Sequence, residues 1–129
     1  MTSPPLNRIL LVEDEADMQM VARIALETLG GFSVRVCGSA EEVLDGPLDP
    51  APDLILMDVV MPGMDGPVAF RVLRRRKETS SIPVVFMTAR VRPPEVDRYR
   101  EMGALGVIPK PYDPMTLADT VRRIWEERP

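Results

Sequence analysis

Three unbroken four-residue apolar runs punctuate the chain: Ile9-Leu10-Leu11-Val12, Leu54-Ile55-Leu56-Met57 and Val84-Val85-Phe86-Met87. Runs of that length without a polar interruption suit strands covered on both faces, as in the middle of a parallel sheet. Phe32, Val34 and Val36 alternate with Ser33 and Arg35, the period of a half-exposed strand, so Phe32–Cys37 is expected at an edge. Val107-Ile108 runs into Pro109. A proline lacks the N–H that a ladder needs, so this fifth strand is also expected at an edge.

Between these runs the apolar spacing lengthens to three and four. Met18, Val21, Ala25 and Leu29 predict one buried helical stripe, stopped by Gly30-Gly31. Ser39 is placed to cap a short helix reaching about Leu44, and Asp65 to cap another, with Pro67 in its first turn and Phe70 and Leu73 facing inward. Pro94 opens a fourth helix ending at Gly103. Asp113 with Pro114 opens a fifth, with Leu117, Val121 and Ile124 as its buried stripe. The stretch from Pro47 to Pro52 reads as a loop. Five strands alternating with five helices predict an α/β sandwich around a mostly parallel sheet of order 2-1-3-4-5. In such sheets the ligand site lies beyond the carboxyl ends of the strands, where the strand order reverses. Chemistry is therefore expected just after Val12, Met57 and Met87.

Length and composition narrow the classes. At 129 residues the chain suits one domain, expected over 1–129 with a core at about 7–127. No apolar run approaches the roughly 18 residues of a membrane span, and Met1 to Pro5 carries no secretory pattern, so the expected address is the cytoplasm. The net charge of −4 argues against direct DNA binding; these 129 residues hold no DNA-binding segment after the fifth helix, and a stand-alone regulator and a piece of a larger response regulator or hybrid kinase both fit. Cys37 is the only cysteine and there is no histidine. Disulfides, thiol metal sites, Ser-His or Cys-His catalysis and imidazole-bound zinc are thereby excluded. Cys37 itself is expected as a small buried residue.

What remains is carboxylate, hydroxyl, lysine and hard-metal chemistry, and the residues for it stand at the forecast strand ends. Glu13, Asp14 and Glu15 follow Val12; Asp58 follows Met57; Thr88 follows Met87; Lys110 follows the fifth strand. Two carboxylates about 4 Å apart repel by roughly 4 kcal/mol at an effective dielectric near 20, so Glu13, Asp14 and Asp58 in one pocket call for a cation. All-oxygen ligation suits Mg²⁺ or Mn²⁺. A free oxygen of Asp58 could then attack phosphorus and form an acyl phosphate, with Lys110 as a point charge for a phosphoryl oxygen and the Thr88 hydroxyl as a donor to another. Taken alone, the acids after Val12 could equally be first-turn residues of a helix, and Glu15 is read that way. An aspartyl-phosphate phosphatase, a flavodoxin and an unreactive binding module are the competing classes. The phosphatase lacks a second acid two residues after Asp58, where Val60 stands. The flavodoxin phosphate loop is contradicted by three acids.

Ile9 to Glu15 (ILLVEDE), Asp53 to Gly66 (DLILMDVVMPGMDG), Met87-Thr88-Ala89 and Ile108 to Pro111 (IPKP) resemble the response-regulator receiver family. The resemblance runs from about Asn7 to Glu127 and implies a flavodoxin-like (βα)5 three-layer sandwich. It implies Asp58 as phosphoacceptor, Asp14 as direct metal ligand, Glu13 as a ligand through water, and the backbone carbonyl of Val60 as a further ligand. It likewise implies that Thr88 and Lys110 contact the phosphoryl group, and that the donor is a phosphohistidine on a sensor kinase or histidine phosphotransfer protein. The output surface it implies is the fourth helix, fifth strand and fifth helix, facing a downstream protein whose identity is open. Such a domain catalyses its own phosphorylation and dephosphorylation and is not a turnover enzyme. One departure is that Val107 stands where the family often has an aromatic that swings with the threonine. Val60 and Arg90 occupy positions expected to tune hydrolysis, here toward slow loss. The basic run Arg74 to Lys77 is read as a solvated helix end, the arginines at 90, 92, 98 and 100 as surface charge, and Met61 and Met64 as candidates to face a partner.

Overall fold

A computed structural model describes residues 4–129; of the leader reading above, residues 1–3 lie outside it. Five parallel strands, β1 (Arg8–Val12), β2 (Ser33–Cys37), β3 (Leu54–Asp58), β4 (Val84–Thr88) and β5 (Gly106–Pro109), form one sheet in the order β2-β1-β3-β4-β5. A helix follows each strand: α1 (Ala16–Ile24), α2 (Ala40–Leu44), α3 (Gly66–Arg75), α4 (Pro93–Met102) and α5 (Leu117–Glu126). The fold class is the flavodoxin-like three-layer sandwich.

Alternation along each strand divides the core into two layers. Ile9, Leu11, Leu54, Leu56, Val85 and Met87 join Ala22, Leu26, Leu117, Val121 and Trp125 on the α1/α5 side. Leu10, Val12, Ile55, Met57, Val84 and Phe86 join Val43, Phe70, Leu73 and Tyr99 on the α2/α3/α4 side. Both faces of β1, β3 and β4 are therefore covered, which is why their sequences show no polar interruption. The register aligns Val12 with Met57 and Asp58 with Met87, so the strand ends arrive together at one edge of the sheet.

Side-chain caps start α2 and α3. The Ser39 hydroxyl accepts the Glu42 N–H at 3.1 Å, and the Glu42 carboxylate accepts the Gly38 N–H at 2.8 Å. Asp65 accepts the Val68 N–H at 3.0 Å ahead of Pro67. Gly103 ends α4 in the left-handed region at φ 112°, where a side chain would be strained. Met115 N–H bonds the Asp113 carboxylate and Leu117 N–H its carbonyl, so Asp113 caps a single turn and the regular helix begins at Leu117. Helix α4 begins one residue earlier than expected, at Pro93.

The α1 stripe differs from expectation. Ala22, Ala25 and Leu26 are buried, whereas Val21 is at the surface and Leu29 is 52% exposed. Two overlapping stripes exist here, and the one carrying two alanines lets the helix approach the sheet closely. After Ile24 the helix widens into a π turn over Ala25–Leu29, whose longer period rotates Leu29 off the buried face. In α5 the buried aromatic is Trp125, and Ile124 is only half-buried. The Trp125 indole N–H donates to the Pro4 carbonyl at 2.8 Å. Met61 is buried and Met64 packs against the same core layer, so both fill the interior.

Candidate functional site

Glu13 is the first residue beyond β1, and every polar group it owns is engaged. Its N–H donates to the Cys37 carbonyl at 3.0 Å, and its carbonyl accepts the Gln19 side-chain amide at 2.6 Å. One carboxylate oxygen accepts from Lys110 Nζ at 2.9 Å, the other from the Glu15 N–H at 3.2 Å. The residue is 0% exposed. A buried carboxylate is tolerated only with such compensation.

Lys110 Nζ also donates to Asp58 Oδ2 at 2.8 Å, so a single ammonium bridges two buried carboxylates. Burial alone would pull the lysine pKa down. The hydrogen bonds and charges of Asp58 and Glu13 outweigh that and hold it above its ordinary value. Lys110 reaches this position because its N–H donates to the Thr88 carbonyl at 2.9 Å, extending the β4–β5 ladder by one residue.

Asp14 completes the cluster: one carboxylate oxygen from each of Glu13, Asp14 and Asp58 lies within 4.8 Å of the others. Three acids against one lysine leave an excess of negative charge. Among the described residues no group donates a hydrogen bond to the Asp14 carboxylate or to Asp58 Oδ1. An all-oxygen set with uncommitted oxygens fits a hard divalent cation, so the cluster could hold a metal.

The remaining expected residues sit around this core in different ways. Thr88 is buried, and its hydroxyl oxygen accepts the Arg90 N–H at 3.0 Å. The Arg90 side chain is exposed. Val60 is 73% exposed, beside the acidic cluster in sequence but outside the core. Val107 is half-buried in the layer that contains Phe86 and Tyr99. The Tyr99 ring lies 5.2 Å from that of Phe86, and Phe86 lies 5.7 Å from Phe70. An aromatic column thus links α3, β4 and α4 in the layer against which Val107 packs.

Three contributors escaped the sequence reading. Gly66 is the first residue of α3. A Cβ there would come within 2.5 Å of the Asp58 carbonyl oxygen, so the glycine lets the helix seat against the backbone of Asp58. The only signal was a glycine just after the capping Asp65, where alanine would favour the helix. Gln19 and Tyr112 are the others. The Tyr112 hydroxyl donates to the Met18 carbonyl at 3.2 Å. Burial, followed by the charge of Glu13, pushes its phenol up to about 12. Neither left a recognisable motif.

The sequence profile described as "Response regulator receiver domain" matches residues 9–122. The chain belongs to the response regulator receiver domain family. Among curated relatives, the transcriptional regulatory protein CpxR of Escherichia coli (strain K12) is 36% identical over 130 residues, covering 95% of this chain and 53% of CpxR. The DNA-binding response regulator MtrA of Mycobacterium tuberculosis (strain ATCC 25618 / H37Rv) is 36% identical over 116 residues, covering 90% of this chain and 49% of MtrA. The receiver chain thus spans about half the length of these relatives. Among solved structures, the chemotaxis response regulator CheY4 of Vibrio cholerae aligns with TM-score 0.83 and 25% identity over 93% of this chain and 99% of that one. A response regulator from Desulfuromonas acetoxidans aligns with TM-score 0.79 and 30% identity, covering 92% and 95%. Among the described residues of this receiver, no helix is long and apolar enough to cross a membrane.

Proposed function

We propose that this receiver domain, extending over the whole of 1–129, accepts a phosphoryl group on Asp58 from a phosphohistidine and changes a partner-facing surface in response. The observation that carries the reading is the Lys110 bridge to Asp58 and Glu13, with an Asp14 oxygen in the same cluster. It supports the reading because the Asp58 carboxylate, a countercharge and acidic oxygens that could hold a metal lie close together at the carboxyl edge of the sheet.

In the proposed step a carboxylate oxygen of Asp58 bonds to phosphorus as the phosphorus–nitrogen bond to the donor imidazole breaks. The imidazole, already protonated on its other nitrogen, takes the electron pair of the broken bond and leaves as a neutral ring, and Asp58 becomes an acyl phosphate. Glu13, Asp14, Asp58 and the Val60 carbonyl would hold Mg²⁺ or Mn²⁺, which supplies charge neutralisation for the transferring group. Lys110 keeps its proton and is available to a phosphoryl oxygen. The Thr88 hydroxyl, bound as an acceptor by the Arg90 N–H, has its own proton free to donate. Phosphoryl transfer needs little beyond such positioning and charge.

The donor is assigned to a sensor histidine kinase or a histidine phosphotransfer protein, and the output to α4, β5 and α5. With Val107 at the usual aromatic position, movement of Thr88 would reach α4 through the Phe86–Tyr99 contact. The chain acts on itself and does not turn over a separate substrate; the exposed Val60 side chain offers nothing to orient water, which favours slow hydrolysis. Cytoplasmic residence and the absence of direct DNA contact by this segment are parts of the same reading.

The test is incubation with a small acyl-phosphate donor and Mg²⁺, followed by intact mass. A gain of one phosphoryl group, lost in Asp58→Ala, supports the proposal. No gain in the wild type, or a gain that survives Asp58→Ala, refutes it. Turnover of a phosphomonoester would favour a phosphatase instead. Val60→Asn is expected to shorten the phosphoryl lifetime and Arg90→Ala to change it; unchanged lifetimes in both remove the tuning role.

A further inference from the structure

We infer that Gln19 and Tyr112 are positioning residues that use one turn of α1 to set the spacing between the Glu13–Asp14 loop and the loop bearing Lys110. This deepens the phosphoacceptor reading and rests on it. The two contacts belong to adjacent residues of the helix. Gln19 donates its side-chain amide to the Glu13 carbonyl at 2.6 Å, while its own N–H is committed to the Glu15 carbonyl at 2.9 Å. Met18, the residue before, receives the Tyr112 hydroxyl at 3.2 Å.

The first contact acts on the metal side. The Glu13 carbonyl is part of the peptide plane joining Glu13 to Asp14, so holding that oxygen fixes the direction in which Asp14 leaves β1. The Glu13 N–H is already tied to Cys37. With both ends of this residue pinned, Asp14 inherits one orientation.

The second contact acts on the lysine side. Tyr112 lies two residues after Lys110, and its ring is buried in the α1/α5 layer with Leu117. A buried ring is a stiff lever, and its hydroxyl reaches the same turn that Gln19 occupies. The acidic loop and the lysine loop, far apart in sequence, are thus referenced to one helical turn. Packing alone would be served equally by phenylalanine at 112, and contact with water at 19 by many side chains. The hydrogen-bond geometry distinguishes the roles.

The experiment compares wild type, Gln19→Met, Gln19→Ala and Tyr112→Phe by Mg²⁺ titration calorimetry, metal-free thermal unfolding, and phosphorylation by a small acyl-phosphate donor at saturating Mg²⁺. Loss of one orienting hydrogen bond is expected to change the affected quantity about three- to tenfold. The Gln19 variants weaken Mg²⁺ binding by that factor, and excess Mg²⁺ recovers most of the phosphorylation rate. Tyr112→Phe leaves Mg²⁺ affinity within about twofold but slows phosphorylation at saturating Mg²⁺ by about three- to tenfold. Variants matching wild type in both quantities, or losing activity only in proportion to lost metal-free stability, overturn the inference. Should wild type itself neither bind Mg²⁺ nor gain a phosphoryl group, the phosphoacceptor reading fails and the inference falls with it.

Discussion

Each polar group of Glu13 has a partner, whereas Asp14 has uncommitted oxygens in the same cluster. That asymmetry separates the two acids energetically. Asp14 adds repulsion without a compensating bond, so Asp14→Asn is expected to raise metal-free stability by about 1 kcal/mol, well below the contact-distance estimate because water screens the group. Thermal unfolding in chelator measures this; a lower midpoint would contradict it. Lys110→Met has the opposite sign. It leaves two buried carboxylates without their cation and should cost roughly 1–3 kcal/mol, less than a fully enclosed pair because one side of the lysine remains open. The alkaline limb follows from the same neighbourhood. Lys110 and Tyr112 both keep their protons in the folded protein past the pH at which they lose them unfolded, about 10. Their stabilisation is complete below that pH and declines as pH climbs, for Tyr112 toward about 12. Tyr112→Phe removes one contribution, so its melting temperature should fall less steeply with pH above about 10; identical slopes would contradict this.

At the scale of elements, the seating of α3 decides where Asp58 points. Gly66→Ala would drive a methyl group to within 2.5 Å of the Asp58 carbonyl oxygen, and backbone cannot rotate away as a side chain could. A loss of about 1–3 kcal/mol is expected, read from the denaturant midpoint, together with slower phosphorylation. Asp65→Ala, one residue earlier, removes only a helix cap and should cost about 1 kcal/mol. The strands were legible from the chain because full burial erases polar residues from β1, β3 and β4. Caps were legible because Ser39 and Asp65 carry their own signature. The α1 face was not: its apolar residues support two stripes, and close approach of Ala22 to the sheet is a tertiary fact. The placement of Glu13, Asp14, Asp58, Thr88 and Lys110 at the strand ends was legible from where the apolar runs stop. Gln19 and Tyr112 act on backbone carbonyls, which every residue possesses, so their partners leave no trace in side-chain pattern.

For the molecule as a whole, metal binding should appear as added stability. A cation that binds only the folded receiver contributes about 2.7 kcal/mol at one hundred times its dissociation constant. The melting temperature should therefore climb with Mg²⁺ in wild type and stay nearly flat in Asp14→Asn; parallel rises would place the ion elsewhere. The sheet order was predicted from strands alternating with helices and from the edge character of Phe32–Cys37, and parallel strands explain why Glu13, Asp14, Asp58, Thr88 and Lys110 collect at one rim. The hydrogen bond between Trp125 and Pro4 lies near the start of β1 and the end of α5, toward the pole opposite that rim. Grafted into a surface loop of a host protein, this unit would enter and leave through neighbouring points. A pair of fluorophores joined to the exposed Pro5 and Glu126, each next to a partner of that bond, would sit close together and report loosening of that seam, while leaving the acidic rim free for donors to approach.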